Sequence, residues 1–256
     1  MEGLKMTDQK KILTDILRHV EYAEDLGVNA FDLYKEDMPF TIREDFLDSA
    51  EVNLPQIPPN QLDIKAEKLY ALQQLTKNCQ KCSLFYSRKH VVFGRGDANG
   101  CIMFVGGYPS EIDDFTDMLF NGKEGELLNR IIKAMQVSLS EIFITTAVKC
   151  HPPSNSKPRE EEILACIPYL KSQIEIIQPD IIVTLGEIPY TALTLNRPKI
   201  HTLREHWEVY QGIPLLSTYD LEQIQSNATI KKDVWRDLKS VLRKYHEIKE
   251  QKGQNG

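Results

Sequence analysis

Four of the five cysteines are spaced in a way that suits a metal centre. Cys79 and Cys82 form a CxxC pair, Cys150 directly follows an apolar run, and Cys166 lies in the next predicted helix. The segment 151–158, HPPSNSKP, can turn the chain so that Cys166 faces back toward Cys150. Thiolates on separate elements suit a zinc ion and an iron–sulfur cluster equally well. A redox CxxC pair and unrelated core cysteines are the alternatives.

Strands alternating with helices must position these cysteines. Short apolar runs rich in β-branched residues predict strands at Cys101–Val105, Ile142–Val148, Ile181–Leu185 and Leu215–Tyr219. Periodicity predicts helices at Leu62–Lys77, Glu124–Val137, Arg159–Ile177, Glu187–Leu195 and Val234–Tyr245. This alternation indicates an α/β fold with a parallel sheet covered on both faces. Such sheets bind ligands beyond the carboxyl ends of their strands, so we expect the site in the loops that follow the four strands.

Charge divides the chain into two regions. Residues 1–60 hold 13 acidic and six basic side chains, a net charge of −7, so residues 61–256 carry +1 of the total of −6. Residues 8–37 have helical periodicity, and Pro55, Pro58 and Pro59 predict a linker. We predict an acidic, partly helical N-terminal extension over residues 1–60, one α/β domain over 61–248, and a polar tail over 249–256.

Composition excludes several classes of protein. The chain is 41% hydrophobic and 27% charged, with a mean hydropathy of −0.36, which argues against a disordered chain, a collagen-like fibre and a membrane protein. No apolar run approaches the roughly 18–20 residues of a membrane span, and the first residues lack the apolar core of a signal peptide. We therefore expect a cytoplasmic protein with no membrane partner and reduced cysteines, of which Cys101 packs in the core.

The acidic pI of about 5.6 does not by itself exclude nucleic acid as a partner. The acidic excess lies in residues 1–60, whereas residues 230–252 hold eight basic and four acidic side chains. That segment is compatible with a surface that faces phosphates.

Six segments, in order, resemble family 4 uracil-DNA glycosylases. They are CQKCSLFYSRKHVVFGRGDANGCIMFVGGYP (79–109), NGKEGELLNRII (121–132), FITTAVKCHPPSNSKP (143–158), residues 162–186, LREHW (203–207) and LLSTYD (215–220). The resemblance extends over about residues 65–245. It implies a three-layer α/β/α fold on a four-stranded parallel sheet. It also implies a [4Fe-4S] cluster held by Cys79, Cys82, Cys150 and Cys166, with a structural role near the DNA-binding surface.

The resemblance further implies a pocket for a base flipped out of DNA. Such a pocket needs an aromatic face against the base, an amide that reads its edge, and a donor for the anion that leaves. Phe120 is the implied stacking aromatic, with a core phenylalanine as the alternative. Asp114 matches an acid that positions water, and Asp113 and Asp117 are further candidates, with a solvated acidic loop as the alternative. The implied base-pocket residues are Gly106, Gly107, Tyr108, Pro109, Phe120 and Tyr219.

Three catalytic positions depart from the family pattern. Gly107 stands where the family has Glu, Thr146 where it has Asn, and Asp220 where it has His. A threonine hydroxyl supplies only part of the hydrogen bonding of an amide, and an ionised Asp220 repels a uracil anion. Loss of one such donor costs about 100- to 1000-fold in rate. We therefore expect no efficient uracil excision, although Asp220, Asp114 and Thr146 remain the catalytic candidates.

DNA is the expected partner, and the N-terminal extension is a candidate surface for a protein partner. His151, His201 and His206 are candidates for supplying a lost catalytic group, with surface or structural histidines as the alternative. The resemblance implies a set of DNA-facing residues: Lys149, His151, Asn155, Lys157, His201, Leu203 and Arg204.

Two functions from different classes fit these observations. The first is a DNA glycosylase with altered base preference, since a base edge that offers donors suits Asp220. The second is a catalytically inactive relative that binds nucleic acid or a protein partner, since the three polar positions changed while the four cysteines did not. Binding of a free nucleotide or nucleobase is a third, weaker alternative.

Overall fold

A computed structural model of the chain describes residues 64–254, except for the side chain of Asn155. The helix predicted over residues 8–37, the proline linker and the boundary near residue 60 lie outside this range. Residues 249–254, predicted to belong to a polar tail, are the last part of a helix.

The described residues form one mixed sheet of six strands. The strands are β1 (Arg95–Gly96), β2 (Ile102–Gly106), β3 (Ile142–Thr146), β4 (Ile181–Leu185), β5 (Trp207–Tyr210) and β6 (Ile213–Thr218). Their order across the sheet is β1-β3-β2-β4-β6-β5. The four inner strands are parallel, as the sequence predicts.

The prediction of a sheet with only four strands is wrong. Short β1 pairs antiparallel with β3 at one edge, and β5 pairs antiparallel with β6 at the other. Strand β5 joins β6 through Gln211 and Gly212, which both have positive φ, as a tight hairpin turn of this kind requires. The α/β class itself is confirmed.

Eight helices surround the sheet in the described part of the chain. They are α1 (Ile64–Lys77), α2 (Glu111–Thr116), α3 (Lys123–Met135), α4 (Glu160–Ile177), α5 (Glu187–Thr194), α6 (Ile200–Leu203), α7 (Leu221–Ser226) and α8 (Lys231–Gln254). Five of them match the predicted helices closely, although α8 is longer than predicted at both ends. No helix among residues 64–254 has the length and apolar character to span a bilayer.

Alternate residues of the inner strands point to opposite faces, and both faces are buried, which produces three layers. In β2, Ile102 and Phe104 pack with α3, α7 and α8, whereas Met103 and Val105 pack with α1, α4, α5 and α6. This arrangement explains why every residue of β2, β3 and β4 is buried. The helices cover the sheet and leave the carboxyl ends of its strands for the loops.

The strand ends bring the four predicted loops together in two pairs. Gly106 and Thr146 are paired neighbours at the ends of β2 and β3. Pairing continues past the strands, because Ala147 N donates to Gly106 O at 2.8 Å and Val148 N donates to Gly107 O at 3.0 Å. On the other side, Gly186 N donates to Thr218 O at 2.8 Å. The loop after β3, which carries Cys150 (the cysteine loop), is therefore bound through the backbone to residues 106–109 at the end of β2 (the base loop).

Candidate active site and cysteine cavity

The four predicted cysteines converge on one cavity. Cys79 and Cys82 are half-buried on the segment after α1, and Cys150 and Cys166 are buried on the loop after β3 and in α4. All four line one cavity, together with Arg88, Lys149 and Tyr169. All are free thiols. Within residues 64–254, no three His, Cys, Asp or Glu side chains are grouped closely enough to hold a single metal ion.

Cationic and amide groups surround the sulfur atoms of this cavity. Arg88 Nη1 donates to Cys150 Sγ at 3.5 Å, and its Nη2 donates to Cys79 O at 2.6 Å. The backbone N of Lys149 donates to Cys166 Sγ at 3.3 Å. Burial raises the pKa of the Cys150 thiol to about 12 and also raises the pKa of Cys166. These thiols therefore need a cationic species in the cavity to become thiolates.

Cys101 lies outside this cavity. It precedes β2 and packs, partly buried, against the core on the α3 side of the sheet. This placement agrees with its predicted role in the core.

Phe120 is held rigidly beside the end of β2. Its φ of 53° is the left-handed conformation, which a bulky residue rarely adopts. A Cβ on Gly106 would lie 2.8 Å from Phe120 Cζ, and a Cβ on Gly125 would lie 1.6 Å from Phe120 O. Glycine is therefore required at both positions for Phe120 to keep its place. The side chain is 7% exposed and also contacts the core, so the two alternatives for Phe120 are compatible.

Two of the three candidate acids, Asp113 and Asp114, are buried in α2 and do not belong to a solvated loop. Asp114 is buried, and its carboxylate accepts hydrogen bonds from the backbone N of Lys89 and of His90 at 2.9–3.0 Å. Asp113 is also buried and accepts from Ser110 N and from Asn121 N, the residue after Phe120. Both carboxylates fix loops, and that role leaves little capacity in Asp114 for a water molecule. Asp117, at the end of α2, is exposed to solvent, although partial desolvation by neighbouring protein atoms raises the pKa of its carboxyl.

Thr146 places a hydroxyl without a partner beside Phe120. The side chain is fully buried, and within residues 64–254 its Oγ1 has no hydrogen-bond partner. Its methyl group lies 3.4 Å from the position of a Cβ on Gly106. A Cβ on Gly107 would make only an ordinary contact with Ile188, at 3.5 Å. The backbone therefore leaves room for a side chain at position 107.

Asp220 forms the N-cap of α7. Its Oδ1 accepts from Gln223 N at 2.7 Å, and the carboxyl lies beside Gly186. Burial is the largest cause that raises the pKa of Asp220; the bond from Gln223 opposes it, and Glu222 adds to it. Capping accounts for one oxygen of this carboxylate.

Glu124 is a site residue that the sequence did not reveal. It lies in the first turn of α3, and burial together with the charges of Asp113, Glu222 and Asp220 raises its pKa to about 7. The pKa of Tyr108 is raised by burial and by Glu222, Asp220 and Glu124. Tyr108 and Glu124 thus share an acidic environment with the end of β6. The sequence gives no signal for this environment, because Glu124 is an ordinary residue of a helical pattern.

Replacing Glu124 with Gln should flatten the pH dependence of stability. The folded-state pKa of about 7 exceeds the ordinary 4.5, so the folded chain binds a proton more tightly than the unfolded chain between these values. This contribution to stability is complete below pH 4.5 and is lost as the pH rises through 7. We expect the free energy of unfolding of Glu124→Gln, relative to that of the wild type, to be about 1–2 kcal/mol higher at pH 8 than at pH 5. Urea unfolding at both pH values measures the effect.

Glu126→Gln is the matched control, because Glu126 is an exposed residue of the same helix. An equal response of the two variants would contradict the burial of charge at Glu124.

Three of the predicted DNA-facing residues are buried, and the side chain of a fourth is only 10% exposed. Lys149, His151 and Leu203 are buried. His151 Nδ1 bonds to Pro109 O at 2.9 Å, which ties the cysteine loop to the base loop. Lys157 and His201 are exposed, as predicted, and His206 is exposed with Nδ1 bonded to Arg204 O. The side chain of Asn155 lies outside the description.

Arg204 is the fourth of these residues, and it positions the end of β6. Its Nε donates to Asp237 Oδ2 at 2.8 Å, and Asp237 also accepts from Thr218 Oγ1 at 2.6 Å. The guanidinium lies 4.9 Å from the centre of the half-buried Tyr219 ring. Arg204 therefore fixes the segment that carries Tyr219 and Asp220.

Comparison with known proteins gives one family and several relatives. The family described as the uracil DNA glycosylase superfamily matches residues 93–239. The type-4 uracil-DNA glycosylase of Saccharolobus solfataricus is 39% identical over 64% of this chain and 81% of its own length. Those of Pyrobaculum aerophilum and Sulfurisphaera tokodaii are 42% and 44% identical over 49% and 47% of this chain, and 64% and 55% of their own lengths.

Proposed function

Because the chain belongs to the uracil DNA glycosylase superfamily, in its type-4 family, we propose that it hydrolyses the N-glycosidic bond of a base flipped out of DNA. We propose further that uracil is a poor substrate and that the preferred base offers hydrogen-bond donors on its edge. Residues 1–63 have no role in this proposal.

The main support for the proposal is the position of Phe120, whose backbone is fixed by its neighbours. Its strained backbone is maintained by two glycines on different elements, Gly106 and Gly125. Strain of this kind persists where the surrounding structure enforces it, and it concentrates at functional sites. Enzymes that flip bases stack the extruded base on such an aromatic ring. A phenylalanine needed only for the core has no requirement for this backbone.

The cysteine cavity fits the cluster that the family implies. Four cysteines that line one cavity can supply the four thiolates of a [4Fe-4S] cluster, whereas no three His, Cys, Asp or Glu side chains of residues 64–254 are grouped around one point as a single zinc ion needs. We propose that Cys79, Cys82, Cys150 and Cys166 hold it. When bound, the cluster would link the segment after α1, the loop after β3 and helix α4. Its role is therefore structural, beside the base site.

Three polar groups at the strand ends and in the first turn of α3 support the proposed change of substrate. A carboxylate at Asp220 accepts hydrogen bonds and disfavours the anion of uracil. Glu124, with its pKa of about 7, is partly protonated at neutral pH and can then donate a proton toward a leaving base. The Oγ1 of Thr146 is an unused donor and acceptor at the end of β3. In this proposal, the carboxyl groups of Asp220 and Glu124 and the hydroxyl of Thr146 take the place of the Glu, Asn and His side chains of the family.

An excision assay tests the proposed function. Duplex and single-stranded oligonucleotides containing uracil, hypoxanthine, xanthine or an alkylated base are incubated with the protein, and abasic sites are cleaved by alkali. We expect cleavage of at least one base other than uracil. With that substrate, Phe120→Ala should lower kcat/KM by about 10- to 100-fold, because stacking on an aromatic ring stabilises each base by roughly 1–3 kcal/mol.

Phe115→Ala is the control, since Phe115 is an exposed ring on α2. Absence of cleavage with every base, in protein loaded with its cluster, would reject the glycosylase proposal.

The second candidate function is an inactive relative that binds nucleic acid or a protein. The acidic environment of Tyr108, formed by Glu124, Asp220 and Glu222, favours an inactive relative that binds a protein, because carboxylates repel the phosphates of nucleic acid. Fluorescence anisotropy of a labelled oligonucleotide across a salt series separates the two functions. Salt-sensitive binding without excision supports the inactive relative, and no binding at low salt excludes nucleic acid as its ligand.

A further inference from the structure

Lys149 is a buried lysine without an anionic protein partner. It is 1% exposed, and its Nζ donates to Thr145 Oγ1 at 2.5 Å, to Thr146 O at 2.6 Å and to Gln173 Oε1 at 2.6 Å. All three acceptors are neutral. Among residues 64–254, no carboxylate forms an ion pair with this ammonium.

Burying the ammonium of Lys149 among neutral acceptors costs free energy unless a negative charge lies nearby. An ionised group removed from water loses several kcal/mol of hydration, and neutral acceptors recover only part of that loss. Proteins therefore pair buried charges or place them against metal centres. The hydrogen bonds to Thr145 and Gln173 orient the ammonium but leave its charge uncompensated.

The missing charge is available in the cysteine cavity. Lys149 lines that cavity together with the four cysteines, and its own backbone N donates to Cys166 Sγ. The next residue is Cys150. Four thiolates carry more negative charge than the core of an iron–sulfur cluster neutralises, so the loaded centre is an anion. In an interior of low dielectric constant, its attraction for a buried ammonium is strong.

We propose that Lys149 is the internal counter-ion of the metal centre and that its charge determines how firmly the centre is held. The inference rests on the proposed cluster. Arg88 also contacts Cys150, but it is half-exposed, so water and salt screen its charge. Lys149 is the cation that solvent does not screen.

The test compares iron retention in matched variants. Lys149→Met removes the charge from the loaded protein, and we expect iron to pass to a chelator about 10- to 100-fold faster than from the wild type. Lys149→Gln keeps a hydrogen-bonding group without the charge and should lose iron equally fast. Thr145→Val removes one acceptor of the ammonium but leaves its charge, so its rate should stay within about twofold of the wild type.

A second measurement separates a counter-ion from an ordinary structural residue. In the metal-free protein the ammonium is a cost, so Lys149→Met should unfold at the same or a higher urea concentration than the metal-free wild type. A structural lysine predicts the opposite, a loss of stability in both forms. Iron loss at the wild-type rate in Lys149→Gln, or failure of both neutral variants to fold where the metal-free wild type folds, would overturn the inference.

Iron and sulfide analysis of the wild type tests the proposed cluster separately from the role of Lys149. A wild type that binds no metal rejects the proposed cluster. A loaded wild type whose neutral variants retain the metal equally well rejects only the role of Lys149.

Discussion

Replacing Cys166 with Ser is expected to abolish iron binding and to destabilise the domain. Cys166 is buried in α4, and its sulfur accepts from the backbone of the loop that carries Cys150. A ligand set of three thiolates and a hydroxyl holds iron weakly, so helix α4 loses its link to that loop. We expect iron and sulfide to fall close to zero. Loss of a structural centre worth about 5 kcal/mol lowers the melting temperature of a domain of this size by roughly 10–20 °C.

Cys101→Ser is the matched control for this variant. Cys101 is the remaining cysteine, it lies outside the cavity, and it packs against the opposite side of the sheet. Iron content measured by mass spectrometry, together with thermal unfolding, should be close to wild type in this control. Equal iron loss in both variants, or zinc in place of iron in the wild type, would contradict the proposed centre.

The strands that the sequence predicted and those it missed differ in their burial. Strand β4, Ile181–Leu185, was predicted with its bounds because it is an unbroken apolar run buried on both faces. Strand β5 was missed because only Tyr210 is buried and Val209 is 73% exposed. An edge strand needs no continuous apolar run. The available signal was Gly212, at the turn that joins β5 to β6.

Residue types predicted the cysteine cavity, but they did not predict which charges are paired. Lys149, His151 and Arg204 read as surface residues because charged and polar side chains are usually exposed. Arg204 is instead paired with Asp237, which lies 33 residues further along the chain. A single sequence contains no information about such a contact until the topology brings β6 and α8 together.

Asp220 and Thr146, which we propose stand in place of catalytic residues of the family, each have a structural role. Asp220 stabilises the first turn of α7, a role for which Asp is among the best residues. Thr146 keeps the volume near Phe120 filled at the end of β3. The scaffold is therefore stable without the polar groups of the family. Restoring those groups is then a direct test of whether the pocket is still shaped for a base.

The double variant Thr146→Asn with Asp220→His should gain uracil excision of at least about 100-fold over the wild type. Asn restores a group that both donates to and accepts from the uracil edge, and His removes a charge that repels the uracil anion and supplies a donor. Asn and Thr have similar volumes, so residue 146 changes without a large cavity or clash. Loss of the cap on α7 costs about 1 kcal/mol, which the domain can tolerate. Single-turnover assays on a uracil-containing single strand measure the gain.

The two single variants and a third change identify the source of any gain. Each restored donor contributes about 100- to 1000-fold only if Phe120 holds the base against it, so adding Phe120→Ala to the double variant should remove most of the recovered activity. Thermal unfolding checks that each variant remains folded. A folded double variant with no more uracil excision than the wild type would show that Phe120 and the strand ends no longer form a pocket for a base, and it would favour the inactive relative.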